Sequence, residues 1–158
     1  RDVDISSRDD LMATAGVDGT VRFWDLRSRD QVRLFFAHTN GVSQVEFAPN
    51  RRYVATLGDD GVKLWDYRFD EIRELAFFEF LAITDNELYF SADGSLLFAH
   101  VFDEIIVWSV DELEEVARYK VPNAYSSISA DGRQITATDE EGSVYILTVI
   151  PEPVEEGD

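Results

Sequence analysis

The chain has 158 residues, of which 45% are hydrophobic and 13% aromatic, so it can bury a core and is not a disordered polypeptide. Its 14 Lys and Arg residues stand against 32 Asp and Glu residues, and the net charge of −18 argues against direct contact with nucleic acid or an anionic membrane. The absence of cysteine excludes disulfides, thiolate metal sites and a thiol nucleophile.

The first predicted elements form a module that ends in a Trp-Asp pair. Residues 12–25 read Met-Ala-Thr-Ala-Gly-Val-Asp-Gly-Thr-Val-Arg-Phe-Trp-Asp, and residues 54–66 read Val-Ala-Thr-Leu-Gly-Asp-Asp-Gly-Val-Lys-Leu-Trp-Asp. Both segments contain Ala-Thr, Gly, Asp-Gly, Val and Trp-Asp in the same order. Apolar side chains alternate before each Trp, and Asp-Gly suits a tight turn, so each segment predicts two antiparallel strands.

Weaker copies of this module follow along the chain. Residues 97–109 form a third copy and residues 135–147 a fourth, and the anchor positions 24, 65, 108 and 147 are 41, 43 and 39 residues apart. Two Ser-Ala-Asp-Gly turns, at Ser91–Gly94 and Ser129–Gly132, mark the strand that precedes the third and fourth copies. The segment Asp111–Arg118 could form a helical turn, but its place in the repeat predicts the approach to an outer strand.

This pattern resembles the WD-repeat family, whose period is roughly 40–45 residues. The resemblance covers about residues 1–149 and is weakest at the fourth copy, where Leu147 and Thr148 stand at the Trp-Asp positions. It implies an all-β fold, a β-propeller segment of four consecutive four-stranded antiparallel blades. The repeats span about 1–41, 42–83, 84–123 and 124–149, and residues 150–158 are predicted to be an acidic tail that contains Pro.

The ring is predicted to be incomplete without further blades. The chain begins at Arg1, not at Met, and the fourth copy ends after its third strand. Four blades alone would expose strand edges and apolar blade faces. We therefore expect a C-terminal part of a larger propeller, whose remaining blades come from another segment or from a second copy that closes an eight-bladed ring. A closed four-bladed ring is the least favoured alternative.

Members of this family often carry a hydrogen-bonded set of His, Ser or Thr, Asp and Trp. The resemblance implies that the second repeat builds this structural polar network, and that the first repeat carries a matching part whose His would precede Arg1. The residues concerned are His38, Thr56, Asp59 or Asp60, and Trp65 in the second repeat, and Thr14, Asp18 and Trp24 in the first. A catalytic role for His38 is less favoured, because the structural pattern already explains each residue.

Two features are candidates for partner binding. Adjacent Trp-Asp-x-Arg boxes, with Asp25 and Arg27 in one and Asp66 and Arg68 in the other, resemble those of substrate receptors for cullin-RING ubiquitin ligases. In those receptors the Arg contributes to adaptor docking. The alternative is that each Arg pairs with a nearby carboxylate.

The second candidate is an aromatic cluster in the segment 75–83. Phe77, Phe78 and Phe80 could form an exposed contact, but packing between blades is favoured. Phe35 and Phe36 occupy the corresponding place one repeat earlier, which favours packing further.

Motifs of catalysis, cofactor binding and metal binding are absent from the sequence. It contains no Gly-x-Ser-x-Gly, no phosphate-binding Gly-rich loop and no His-Glu-x-x-His, and it has only 2 His residues. We therefore predict a non-enzymatic protein–protein interaction scaffold within a larger complex, without cofactor or metal. The alternatives are a ubiquitin-ligase substrate receptor and an assembly factor of an RNA–protein complex that contacts proteins. No secretory signal is visible, which favours an intracellular location, cytoplasmic or nuclear.

Overall fold

The computed structural model describes residues 1–8, 10–68, 73–79, 87–101, 103–121, 124–129, 133–139 and 141–149. Within these ranges every regular element is a β-strand, and the strands form four antiparallel sheets in chain order. This confirms the predicted all-β architecture.

Strands that follow one another in the chain are neighbours in each sheet. The first sheet contains β1 (Asp2–Ile5), β2 (Leu11–Ala15), β3 (Thr20–Asp25) and β4 (Gln31–Phe36). The second contains β5 (Val42–Phe47), β6 (Tyr53–Gly58), β7 (Gly61–Asp66) and β8 (Arg73–Glu79).

The third sheet repeats the four-stranded arrangement, and the described part of the fourth has three strands. The third contains β9 (Glu87–Phe90), β10 (Leu96–Val101), β11 (Glu104–Ser109) and β12 (Glu114–Lys120). The fourth contains β13 (Ala124–Ile128), β14 (Gln134–Asp139) and β15 (Val144–Thr148). Strand β12 covers most of the segment with helical character, so its place in the repeat decided its structure. Strands β13, β14 and β15 are the three strands with which the fourth copy was predicted to end.

The first three sheets share a local irregularity next to the anchor Trp. The pairing of the third strand with the fourth shifts register between Phe23 and Trp24, and again immediately before Trp65 and before Trp108. A register shift of this kind is a β-bulge, which bends and twists the outer strand. Three sheets with the same bulge at the same repeat position are structural copies of one another.

The hydrophobic core lies between successive sheets. Between the first and second sheets, Phe23 packs with Phe47 and Tyr67, with ring centroids 5.5 and 5.6 Å apart respectively. Similar buried clusters join the second sheet to the third and the third to the fourth. This stacking of sheets through their faces is the arrangement of consecutive propeller blades.

The outward face of the first sheet carries exposed apolar side chains. Val3, Ile5, Leu34 and Phe36 are 55%, 48%, 51% and 60% exposed. Asp2 and Asp4 point toward the second sheet, so alternation along β1 turns Val3 and Ile5 away from it. On the fourth sheet, Val144 and Ile146 are similarly exposed. The described sheets therefore form an arc with apolar faces at its two ends, and the ring is not closed.

Candidate protein-interaction surface

A buried polar network joins the segment before β5 to strands β6 and β7. His38 is 1% exposed, and its Nε2 lies 2.8 Å from the Thr56 hydroxyl. The indole Nε1 of Trp65 donates to the same hydroxyl over 2.9 Å. His38 Nδ1 contacts the carboxylate of Asp60, and Asp59 is exposed, so the structure decides between the two Asp candidates in favour of Asp60.

The protonation of this network follows from its hydrogen bonds. The Asp60 carboxylate can only accept, so the proton of the neutral imidazole lies on Nδ1, and Nε2 accepts from the Thr56 hydroxyl, which itself accepts from Trp65. Burial is the main cause that lowers the pKa of His38, although Asp60 acts in the opposite direction. The imidazole is thus held neutral in one tautomer.

Gly58 makes room for this imidazole at the end of β6. A Cβ atom at position 58 would collide with Cγ, Nδ1 and Cβ of His38. The close approach of the ring to the backbone therefore requires glycine here.

The first sheet contains part of the same arrangement. Trp24 Nε1 donates to the Thr14 hydroxyl over 3.1 Å, as Trp65 does to Thr56. Asp18 is engaged within its own hairpin, where its carboxylate accepts from the Thr20 hydroxyl at 2.7 Å and from Arg22 at 2.6 Å. The Trp–Thr bond therefore recurs in both sheets, while only the second sheet adds a His to it among the described residues.

The two Trp-Asp-x-Arg boxes lie at the same edge of adjacent sheets but differ in detail. Asp66 is 3% exposed and binds the Arg68 guanidinium at 3.0 and 2.6 Å, which lowers the pKa of this carboxyl. Asp25 instead accepts from the backbone N–H groups of Arg27 and Ser28, each over 2.8 Å, and the Arg27 side chain is exposed. Arg68 thus pairs with a nearby carboxylate, which was the alternative to adaptor docking. Arg27 makes no ion pair with the described residues.

The aromatic candidates separate into two groups. Phe35 packs on the core, with its ring centroid 4.8 Å from that of Trp65, while the next side chain, Phe36, points to solvent. In the backbone, Phe77 pairs with Lys63 and Phe78 with Val62. The side chains of Phe77 and Phe78, and the whole of Phe80, lie outside the described residues.

Polar side chains on the first strand of a sheet form hydrogen bonds to the next sheet. The sequence did not lead us to predict these links. Backbone N–H groups of Val45 and Phe47 donate to the carboxylates of Asp2 and Asp4, over 3.0 and 2.7 Å. One repeat later, the Gln44 amide exchanges two hydrogen bonds, of 3.0 and 2.9 Å, with the backbone of Leu88. The signal in the sequence was the alternation of polar residues on the first strand of each module.

A half-buried carboxyl group, that of Glu46, lies near these links. The pKa of Glu46 is raised to about 8, mainly by burial and further by the negative charges of Asp4 and Asp2. Glu46 alternates with Val45 and Phe47 and so shares the face of β5 that carries Gln44, and its carboxyl group keeps its proton to a higher pH than an ordinary glutamate.

A groove opens between the first and second sheets, and this feature was also missed by sequence reasoning. It encloses about 310 Å³, and its walls combine apolar side chains with two arginines. The lining residues are Leu11, Phe23, Val32, Arg33, Tyr67 and Arg68. Each of the two modules supplies one of these aromatic residues and one of these arginines, so no single stretch of sequence predicts the groove.

The described residues contain neither a membrane-spanning helix nor a group of potential metal ligands. In that part of the chain, no helix is long and apolar enough to cross a membrane. Nor does it bring together three or more His, Cys, Asp or Glu side chains that could hold a metal ion.

Stacked four-stranded sheets with a recurring Trp–Thr bond and a recurring bulge define a β-propeller segment. The chain belongs to the WD-repeat family: residues 1–25 and 29–66 match the family model described as WD domain, G-beta repeat.

Several curated proteins are similar to this chain. Pre-mRNA-processing factor 19 homolog 2 of Arabidopsis thaliana is 34% identical over 87 residues, which cover 55% of this chain and 16% of that protein. Target of rapamycin complex subunit wat1 of Schizosaccharomyces pombe is 26% identical over 153 residues, 92% of this chain and 48% of the relative. Small ribosomal subunit protein RACK1y of Oryza sativa is 33% identical over 114 residues, 68% of this chain and 34% of the relative. The chain thus spans less than half the length of these relatives.

Proposed function

We propose that this chain acts as a non-catalytic protein–protein interaction scaffold within a larger complex. The observation that carries this proposal is the exposed apolar face of the first sheet. WD-repeat relatives named as subunits of assemblies support it, among them the target of rapamycin complex subunit and transcription initiation factor TFIID subunit 5 of Caenorhabditis elegans.

Comparison of the first two sheets supports the presence of a further partner at this face. Val45 and Phe47 on β5 are buried by the first sheet. Val3 and Ile5 hold the matching positions on β1 and are exposed. Contiguous exposed apolar side chains mark interaction sites. In this proposal, further blades cover the face, supplied by another segment or by a second copy of the chain.

The solution mass of the chain tests this proposal, measured by light scattering both for the chain alone and for the chain as isolated from its source. We expect a mass of two chains, or stoichiometric co-purification of another polypeptide. Phe36→Asp should abolish that association, because it places a charge in the exposed face. Val17→Asp is the control, since Val17 is also an exposed apolar residue but lies in a hairpin turn. A monodisperse monomer from both sources would contradict the proposal.

A second candidate function is a substrate receptor of a cullin-RING ubiquitin ligase. The placement of Arg27 and Arg68 at one edge of adjacent sheets favours it, because a single adaptor could contact both. Replacing both residues, Arg27→Ala and Arg68→Ala, should reduce recovery of a cullin adaptor from cell extract. Arg118→Ala in the third sheet is the matched control. Unchanged recovery with the double variant would exclude this function.

Similarity to two pre-mRNA-processing factor 19 proteins favours a third candidate, an assembly factor of an RNA–protein complex. The net charge of −18 makes protein contacts the expected mode of binding. Association with such a complex should survive ribonuclease treatment after purification. Direct, salt-sensitive binding of this chain to RNA would contradict that mode.

A further inference from the structure

We infer that the exposed face of the first sheet is covered by a β-sheet that presents a side-chain oxygen of Asp, Asn, Glu or Gln to the backbone N–H of Val3. That sheet comes from another polypeptide segment and not from a second copy of the chain. This inference rests on the proposed scaffold function and specifies the partner and the chemistry of its contact.

The backbone N–H of Val3 points away from the strand that pairs with β1. The Ser6 N–H donates to the carbonyl of Leu11 over 2.9 Å, so every second residue back along β1 turns its N–H toward β2. Val3 and Ile5 alternate with those residues, and their N–H groups point to the open edge of β1. The Ile5 N–H donates to the carboxylate of Asp4 over 2.7 Å. The Val3 N–H has no acceptor among the described residues.

The matching N–H groups of the next two sheets do have acceptors. Val45 and Leu88 hold the repeat position of Val3 on β5 and β9. The Val45 N–H donates to the carboxylate of Asp2 over 3.0 Å, and the Leu88 N–H donates to the side-chain oxygen of Gln44 over 2.9 Å. Asp2 and Gln44 share one repeat position, immediately before Val3 and Val45. Continuing this interface by one sheet therefore places a matching side-chain oxygen against Val3.

The third and fourth sheets are joined by a different link at this repeat position. The fourth sheet carries Ser126 here, and its hydroxyl lies 3.0 Å from Nδ1 of His100 on the third sheet. The link to a backbone N–H thus occurs where the residue is apolar, as at Val45 and Leu88. Val3 is apolar, so it belongs with these two residues.

Covering this face makes the acceptor necessary. Val45 is fully buried in a cluster that includes Ala13 and Phe23 on the second and third strands of the preceding sheet. Val3 is 55% exposed and requires cover of the same kind. Such cover removes water from its N–H, and a buried donor without an acceptor is unfavourable. An occupant that matches the face therefore combines apolar side chains with one side-chain oxygen.

A second copy of the chain does not offer this combination. Its fourth sheet exposes Val144 and Ile146, but position 125 on β13, which corresponds to Asp2 and Gln44, is a Tyr. A phenol oxygen lies farther from the backbone than the oxygen of Asp or Gln, so a Tyr does not replace them here. Two copies would also each bring a net charge of −18, and like charges repel. These observations favour a segment outside the 158 residues as the occupant.

Photo-cross-linking of the full chain in its source cells tests which sheet covers the face. Ile5→p-benzoylphenylalanine places the photoreactive group on the same face as Val3 without changing the Val3 N–H. We expect it to link to another polypeptide segment, at a strand-like sequence of alternating residues that contains Asp, Asn, Glu or Gln. Val17→p-benzoylphenylalanine, at an exposed hairpin turn, is the control and should not link to that segment. Mass spectrometry identifies the linked residues.

The role of the N–H is tested by comparing Val3→Pro with Val3→Ala. Proline lacks the N–H and is tolerated where the N–H makes no bond within the sheet, whereas alanine keeps the N–H. We expect Val3→Pro to bind the cross-linked polypeptide about tenfold more weakly than Val3→Ala, the effect of one lost hydrogen bond. Fluorescence anisotropy with the purified polypeptide measures both dissociation constants, and circular dichroism verifies that each variant folds.

Equal affinities of the Val3→Pro and Val3→Ala chains would overturn the inference. A cross-link from position 5 to the fourth sheet of a second copy would do the same, as would a linked segment without Asp, Asn, Glu or Gln. In each of these cases the chain still associates with a partner, so the scaffold function stands. A monodisperse monomer from both sources, without any cross-link from position 5, would instead contradict the scaffold function itself.

Discussion

The indole Nε1 of Trp65 donates to the hydroxyl of Thr56, and the same hydroxyl also lies 2.8 Å from Nε2 of His38. One buried oxygen thus connects two strands of the second sheet to the segment that arrives from the first. In the first sheet, the Thr14 hydroxyl accepts from the indole of Trp24, and no His ring contacts it among the described residues.

The Thr56→Val substitution should destabilise the chain by about 1–3 kcal/mol, since it leaves the indole N–H of Trp65 and Nε2 of His38 without a hydrogen-bond partner. Urea unfolding measures this cost. Thr14→Val is the matched control and should cost less, because Trp24 is only partly buried and water can replace the hydroxyl. Equal costs for the two variants would show that the His38 contact contributes nothing.

The Gln44→Ala substitution should destabilise the contact between the second and third sheets. It removes both hydrogen bonds to the backbone of Leu88, which is buried, and we expect a cost of about 1–3 kcal/mol in the free energy of unfolding. Gln31→Ala on the exposed strand β4 serves as control. A Gln44→Ala chain as stable as the control would argue that water satisfies Leu88 in the variant.

The stability of the chain should fall as pH rises toward 8, in part because of Glu46. The pKa of Glu46 is raised to about 8 in the folded state by burial, Asp4 and Asp2, so the folded state binds this proton more tightly than the unfolded state. The resulting stabilisation is complete below the ordinary pKa of the carboxyl and is lost as pH rises through about 8.

Urea unfolding between pH 5 and pH 9 checks this prediction, with the pH range chosen roughly around that transition. The Glu46→Gln chain should lose less stability across the range than the unsubstituted chain. Glu112→Gln, at an exposed turn, should keep the original dependence. His38 is present in every chain, so its own titration cancels in the comparison. Parallel curves for all three chains would refute the assignment to Glu46.

Two adjacent phenylalanines should respond differently to the same change. Phe35→Ser removes a ring that packs on Trp65 and Phe23, and we expect a cost on the order of 3 kcal/mol. Phe36→Ser changes a side chain that is 60% exposed, so the unfolding free energy should move by no more than about 0.5 kcal/mol. Light scattering should show less self-association for Phe36→Ser. A large loss of stability with this second variant would mean that Phe36 is buried.

The sequence by itself determined the strands, the order of the sheets and the family. The strands depend on side-chain alternation and Asp-Gly turns, which act within a few residues, and the sheet order and family depend on an anchor position that recurs about every 40 residues. The hydrogen bonds of Trp24 to Thr14 and of Trp65 to Thr56 belong to the same class, because adjacent strands of a hairpin place each Trp diagonally opposite the Thr, two residues from direct register.

Only the tertiary structure decided which side chains meet between sheets. It selected Asp60 over Asp59 as the partner of His38, turned Phe35 inward and Phe36 outward, and placed Arg33 and Tyr67 in one groove. It also joined Gln44 to Leu88, two residues that no local pattern connects. These contacts depend on the distance and rotation between stacked sheets, which are set by the packing of whole cores such as the cluster around Phe23, so a one-residue shift in register would change each of them.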